Sequence, residues 1–219
     1  MASRDEMRRI AAESLAKGDA TGWFDRFYQQ ASGNWDLVPW ADRRPNPRLV
    51  EWLRSFTASP NRKRSLVVGC GLGDDAEALA SAGYTVTAFD ISPTAIAACH
   101  QRFPRSGVDY QVADVLHPPA SWTGAFDLVF EAFTLQVLPP EPRHAAIRVI
   151  ATLVSAGGRL LVICRAREAR EPVGDLPWPL TREELATFEA LGLRDGGIEI
   201  VLDDETPPVR RFRAFFERP

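Results

Sequence analysis

The chain has 219 residues, 45% hydrophobic and 25% charged, a composition for one globular domain with a small appendage. The formal net charge of −3 provides no broad basic face, which argues against nucleic acid as a partner because phosphate neutralisation needs clustered Lys and Arg. Cys70, Cys99 and Cys164 cannot all pair and lie in no CxxC or Cys/His spacing, so reduced thiols, no metal site and a cytoplasmic setting are expected. The charged N-terminus lacks an apolar signal core, and no run approaches the roughly 20 apolar residues of a membrane span, so a soluble protein with no membrane partner is expected. Two basic clusters, Arg62-Lys63-Arg64 and Arg210, Arg211 and Arg213, read as solvated faces.

In chain order, residues 4–17 predict an amphipathic helix with Met7, Ile10, Ala11 and Leu15 on one face. A second helix starts near Thr21 as N-cap and carries Trp23, Phe24, Phe27 and Tyr28. Residues 32–47 hold Trp35, Pro39, Trp40 and Pro45 and cannot be a continuous helix, while Pro47 opens a third one as a first-turn proline. From Ser65 the pattern alternates: strand 66–68, helix 74–82, strand 85–89, helix 93–102, strand 108–112, strand 126–130, helix 141–154 and strand 159–164. A helix over 181–191 follows, with Thr181 and Glu184 spaced as a capping box. Strands 197–202 and 209–217 are joined too closely for a crossover helix, so they should be antiparallel. The expected fold is therefore α/β, with a parallel sheet covered by helices on both faces.

The first strand runs into Val67-Val68-Gly69-Cys70-Gly71-Leu72-Gly73-Asp74-Asp75. Gly69, Gly71 and Gly73 permit a tight turn and a close approach of backbone to a ligand. A dinucleotide fingerprint starting at Gly69 would place its last glycine where Asp74 stands, and Asp75 follows. A pyrophosphate at this helix N-terminus would meet two carboxylates, and one such pair about 4 Å apart costs roughly 4 kcal/mol at an effective dielectric of 20. A cofactor whose amino-acid end carries an ammonium group suits these acids better; simple helix capping by Asp74 or Asp75 is compatible with that. Asp90 ends the second strand about 20 residues beyond Gly69, the spacing of a ribose-binding carboxylate, while Ser92 is better placed to cap the next helix.

This strand, glycine loop and acid series, closed by a C-terminal hairpin, resembles the class I S-adenosylmethionine-dependent methyltransferases over residues 60–219. Phe24-Asp25-Arg26-Phe27-Tyr28, Gly33-Asn34-Trp35-Asp36-Leu37 and Pro45-Asn46-Pro47-Arg48-Leu49-Val50 are similar to the N-terminal segment of the thiopurine, thiol and tellurite-resistance methyltransferases. The resemblance implies a Rossmann-like, doubly wound, seven-stranded sheet, mostly parallel with an antiparallel C-terminal strand. It implies a helical lid over residues 1–58 and a catalytic domain over 59–219. It also implies S-adenosylmethionine as cofactor, held by Trp35, Gly69, Cys70, Gly71, Gly73, Asp74, Asp75, Asp90, Ile91, Asp114, Val115 and Glu131. Within that set Asp114 and Val115 match the adenine-reading position, and Glu131 ends the strand that faces the sulfonium. The acceptor side is expected to use Phe27, Tyr28, Trp40, Phe133, Arg165 and Trp178. No Asn-Pro-Pro-Tyr type motif follows the fourth strand, which weakens amide or base methylation.

No general base stands out. His100, His117 and His144 each read as surface or packing histidines, and Asp127 is expected to serve the far end of its strand. The aromatic wall predicts methylation of sulfur or oxygen on a small molecule of thiol, phenol or quinol type, by a monomer or homodimer. The rivals are an NAD-dependent oxidoreductase on a similar sheet and a non-catalytic cofactor-binding module.

Overall fold

The computed structural model describes residues 4–55, 63–203 and 205–219. In chain order the elements are α1 (Arg4–Leu15), α2 (Gly22–Ala31), α3 (Pro47–Arg54), β1 (Arg64–Val68), α4 (Asp74–Ser81), β2 (Thr85–Asp90) and α5 (Pro93–Arg102). They continue with β3 (Asp109–Val112), β4 (Phe126–Ala132), α6 (Pro140–Leu153), β5 (Val154–Arg165), α7 (Arg182–Ala190), β6 (Arg194–Leu202) and β7 (Arg210–Glu217). Among the described residues the strands form one seven-stranded sheet in the order β3-β2-β1-β4-β5-β7-β6. The pairs β1–β4, β2–β3 and β4–β5 are parallel, and β7 is antiparallel to both β5 and β6. This is the expected Rossmann-like sheet, and only the strand entered through a short hairpin connection is reversed. No described helix is long and apolar enough to cross a membrane.

The chain divides into two compact units, Met1–Arg62 with Gly69–Asp114, and Lys63–Val68 with Val115–Pro219. The expected lid boundary, between 58 and 59, and Arg62 of the first basic cluster lie outside the described residues. In the first unit α1 packs on α2, and α2 on α5. Met7, Ile10, Ala11, Trp23, Phe27, Tyr28, Leu49 and Trp52 are buried there, while Leu15 and Phe24 are only half-buried and Ser14 takes the last buried place on α1. Thr21 stands at the N-cap of α2 but makes no side-chain cap. Asp19 takes that role, its Oδ1 accepting from the Thr21 and Gly22 backbone N–H groups at 3.1 and 2.7 Å. Asp25 fastens α2 to the first turn of α5: its Oδ1 accepts from Ser92 Oγ at 2.6 Å and from Thr94 N at 3.1 Å. A carboxylate is favourable at a helix N-terminus, and Ser92 caps the same helix by accepting from Ala95 N at 3.0 Å.

In the second unit residues 128–130 of β4 and 160–164 of β5 are continuous apolar runs buried on both faces, as central strands must be. Asp127 serves the far end of β4, its Oδ2 accepting from Arg64 N at 2.8 Å. The capping box of α7 forms as expected between Thr181 and Glu184. Two expectations are corrected. β4 runs to Ala132, so Glu131 belongs to the strand. Arg211 is buried and not a solvated charge: it pairs with Asp203 and Glu205, both at 2.6 Å, because the β6–β7 connection folds two carboxylates onto it. Its neighbours Arg210 and Arg213 pair with Glu171 and Glu199.

Candidate active site

The strand order reverses between β1 and β4, whose ends are in register at Val68 and Glu131. In open α/β sheets ligands bind beyond the carboxyl ends of the strands at such a reversal. The glycine loop follows Val68 directly.

Within the first unit, the loop is bound to the end of β2 by two hydrogen bonds. Cys70 N donates to Phe89 O at 2.8 Å, and Gly71 N donates to Asp90 Oδ2 at 2.9 Å. Asp90 Oδ1 accepts from Ser92 N at 2.9 Å. The carboxylate is therefore fixed beside the loop with one backbone donor on each oxygen, and each oxygen keeps acceptor capacity. Burial raises its pKa above the ordinary aspartate value. Ile91 follows it, half-buried. The Asp90 carbonyl accepts from Ala113 N at 3.0 Å, which brings Asp114 to the same strand end.

The loop glycines are required by their conformation. Gly71 and Gly73 lie at φ +53 and +89, and a Cβ on Gly73 would stand 2.6 Å from the Tyr110 hydroxyl. A Cβ on Gly71 would stand 3.1 Å from the Tyr28 hydroxyl, so this phenol lies directly over the loop. Trp40 Nε1 donates to that hydroxyl at 2.8 Å. Trp40 also packs against Phe27 with ring centroids 5.2 Å apart, and Trp35 lies edge-on to Tyr28 at 6.4 Å. Four of the expected aromatics thus form one cluster, with Phe27 and Tyr28 buried and Trp35 and Trp40 half-buried.

The acids after the glycines do not behave as the sequence suggests. Neither caps α4. Asp74 is held by Arg102, which donates from Nη1 to Oδ2 at 2.7 Å and from Nη2 to Oδ1 at 2.8 Å. Asp75 is half-buried, accepts from Asn46 N at 2.6 Å, and is pushed up to about 7 by desolvation, with Asp74 and Asp42 adding to the shift. Asp74 is ion-paired and the charge on Asp75 is reduced, so electrostatic repulsion of a phosphate is weaker than the sequence implied. What still separates this loop from a dinucleotide loop is the missing third glycine, a steric difference.

Asp75 yields a stability prediction. Its native pKa of about 7 lies above the ordinary 3.8, so between those values the native state binds more protons than the unfolded chain. Its desolvation therefore becomes costly as pH rises through that window. Asp75→Asn keeps an acceptor for Asn46 N and removes the charge. It is expected to stabilise the protein by on the order of 2 kcal/mol near pH 8 and by little near pH 4. Denaturant midpoints at the two pH values check this, and a loss of stability near pH 8 would contradict it.

In the second unit, Glu131 is fully buried at the end of β4. Its Oε1 accepts from Thr134 N at 2.6 Å and Leu135 N at 2.9 Å, while Oε2 has no hydrogen-bond partner among the described residues. Burial pushes it up to about 7. Phe133 follows with φ +70, a strained conformation for a residue with a Cβ, and the Arg211 guanidinium lies 4.7 Å from its ring centre. Val115 is buried. Arg165 donates to Glu205 at 3.2 Å, so its charge is matched within the protein. Trp178 is half-buried, and its backbone N–H donates to Gln136 O at 2.7 Å. Gln136 Oε1 also accepts from Arg165 N at 2.6 Å. This buried glutamine joins the two loops and was missed in the sequence, as were Arg102 and Arg211. A buried polar residue in an apolar run was the available signal for Gln136.

The glycine cradle and an acceptor-only carboxylate with spare capacity fit an adenosyl cofactor. Residues 66–158 match the family described as methyltransferase domain. The chain is 29% identical over 174 residues to thiocyanate methyltransferase 1 of Arabidopsis thaliana, covering 78% of this chain and 73% of that protein. It is 35% identical over 144 residues to a ubiquinone biosynthesis O-methyltransferase of Xanthomonas axonopodis, covering 63% of this chain and 58% of that protein. It thus spans less than two thirds of the latter's length. The N-methyltransferase NodS from Bradyrhizobium japonicum, solved with S-adenosylhomocysteine, shares the fold with a TM-score of 0.69 at 23% identity, over 89% of this chain and 98% of that one. Fold and loop together define a nucleotide-type α/β domain. Residues 66–158 thus match a methyltransferase domain, and the chain is similar to class I S-adenosylmethionine-dependent methyltransferases in sequence and fold.

Proposed function

We propose that this chain transfers a methyl group from S-adenosylmethionine to sulfur or oxygen of a small thiol, phenol or quinol-like molecule. The observation that carries the reading is Asp90, a buried carboxylate bonded to Gly71 N and ending β2, in the position of a ribose acceptor. Asp114 and Val115 take the adenine side. Gly69, Cys70, Gly71 and Gly73, with Tyr28 over Gly71 and Trp35 edge-on to Tyr28, take the amino-acid end. The relatives support both acceptor atoms, since one is named for thiocyanate and the other for O-methylation in ubiquinone biosynthesis.

The cofactor brings a methyl group already activated by a sulfonium, so the protein's task is alignment and exclusion of water. Residues 1–58 act as the lid on a catalytic domain of 59–219, with Phe27, Tyr28 and Trp40 as its apolar inner face. Glu131, Phe133, Arg165 and Trp178 line the acceptor side. Arg165 and Arg211 are already matched by Glu205 and Asp203, so the acceptor needs no charge of its own to balance them. The protein works in the cytoplasm as a monomer or homodimer, without nucleic acid.

Calorimetry with S-adenosylhomocysteine and NAD, followed by labelled-methyl transfer to a panel of thiols, phenols and quinols, tests the proposal. The expected result is binding of the first ligand only, at micromolar or tighter Kd, with turnover on at least one acceptor of the panel. Binding of NAD in its place, or binding without transfer to any acceptor, would reject it.

A further inference from the structure

The back of the glycine loop is held by side chains from α5 and β3, none of which the proposed site uses. Cys99 Sγ donates to Gly71 O at 3.2 Å. Arg102 Nη1 donates to Leu72 O and shares its fork with both oxygens of Asp74. The Tyr110 hydroxyl gives its proton to Glu77 at 2.7 Å and rests 3.4 Å from Gly73 O. Two successive loop carbonyls, Gly71 O and Leu72 O, are therefore engaged from outside, and the Tyr110 ring packs behind the third. The Arg102 guanidinium also lies 4.8 Å from the Phe103 ring centre, and the Arg102 and Asp74 side chains are only 20% and 17% exposed. The pair is thereby partly shielded from solvent.

Glycines lose more conformational freedom on ordering than any other residue, so a loop with three of them binds tightly only if something else fixes its shape first. We propose that Arg102 is a positioning residue that braces the glycine loop, through Leu72 O and Asp74, for the amino-acid end of the cofactor. This rests on the cofactor reading above and assigns Asp74 to the brace instead of to the ligand. Lysine cannot replace the fork, because a single ammonium does not span both carboxylate oxygens and the carbonyl in one plane.

The test compares S-adenosylhomocysteine with 5′-methylthioadenosine, which lacks the amino-acid end and needs only the ribose and adenine contacts. Calorimetry is run on the wild-type chain and on Arg102→Met, Arg102→Lys and Asp74→Asn. Arg102→Met is expected to weaken S-adenosylhomocysteine by about tenfold or more and leave 5′-methylthioadenosine within about twofold. Arg102→Lys should fall between it and wild type. Asp74→Asn, a milder change that keeps the Leu72 bond, should shift the ratio of the two affinities in the same direction, and it serves if Arg102→Met does not fold. Equal weakening of both ligands in the variants would show a general structural role and overturn the brace, as would no change in either. A wild-type chain that binds neither nucleoside overturns the cofactor reading itself.

Discussion

Replacing Asp90 by asparagine is expected to weaken S-adenosylhomocysteine binding by about 100-fold. Hydrogen bonds to a charged acceptor contribute roughly 1.5–3 kcal/mol each, and two ribose hydroxyls compete for the same carboxylate. The amide offers one acceptor oxygen where the native residue offers two, so either Gly71 N or Ser92 N must also face an NH2 group. Loss of one strong bond and weakening of another amounts to about 3 kcal/mol, and each 1.4 kcal/mol is a factor of ten. Because burial raises the Asp90 pKa, acidification should protonate it sooner than an exposed aspartate and weaken binding as pH falls. In the asparagine variant this part of the pH dependence should vanish. Calorimetry across pH reads both effects, and unchanged affinity would place the ribose elsewhere.

Gly73→Ala is the second large effect. The new methyl group would stand 2.6 Å from the Tyr110 hydroxyl and 3.1 Å from Cys99 Sγ, on a backbone at φ +89. The left-handed conformation costs an L-residue about 1–2 kcal/mol, and forcing a group into a packed site costs about 1–3 kcal/mol more. A destabilisation of about 2–5 kcal/mol is expected, read as a fall in denaturant midpoint. Tyr110→Phe in the same chain removes the nearest clashing oxygen and should recover part of the loss while leaving the backbone cost. Wild-type stability in Gly73→Ala would mean that the loop does not have this shape.

The two variants separate shape from chemistry at one loop. Asp90→Asn changes an acceptor and leaves the backbone where it is. Gly73→Ala changes the backbone and leaves the acceptor. A cradle that binds through its ribose acid alone would respond strongly to the first and weakly to the second in ligand affinity per folded molecule.

The sequence by itself determined the elements whose causes are local. Pro47 and Pro93 open helices because a proline needs no N–H partner in the first turn. Ser92 and the Thr181–Glu184 box cap theirs across three residues. Gly69, Gly71 and Gly73 announced a positive-φ turn after a strand, and the order of strands and helices announced the sheet. Only the tertiary structure decided which charges are free. Asp74 and Arg102 are 28 residues apart, and Asp203 and Arg211 meet only because a hairpin returns the chain. A carboxylate's pKa and reach depend on what the fold places within a few ångströms of it, and sequence distance carries no record of that. The acid-rich turn was thus legible as a string of residues, while its reduced charge was settled by a guanidinium from the next helix and by desolvation.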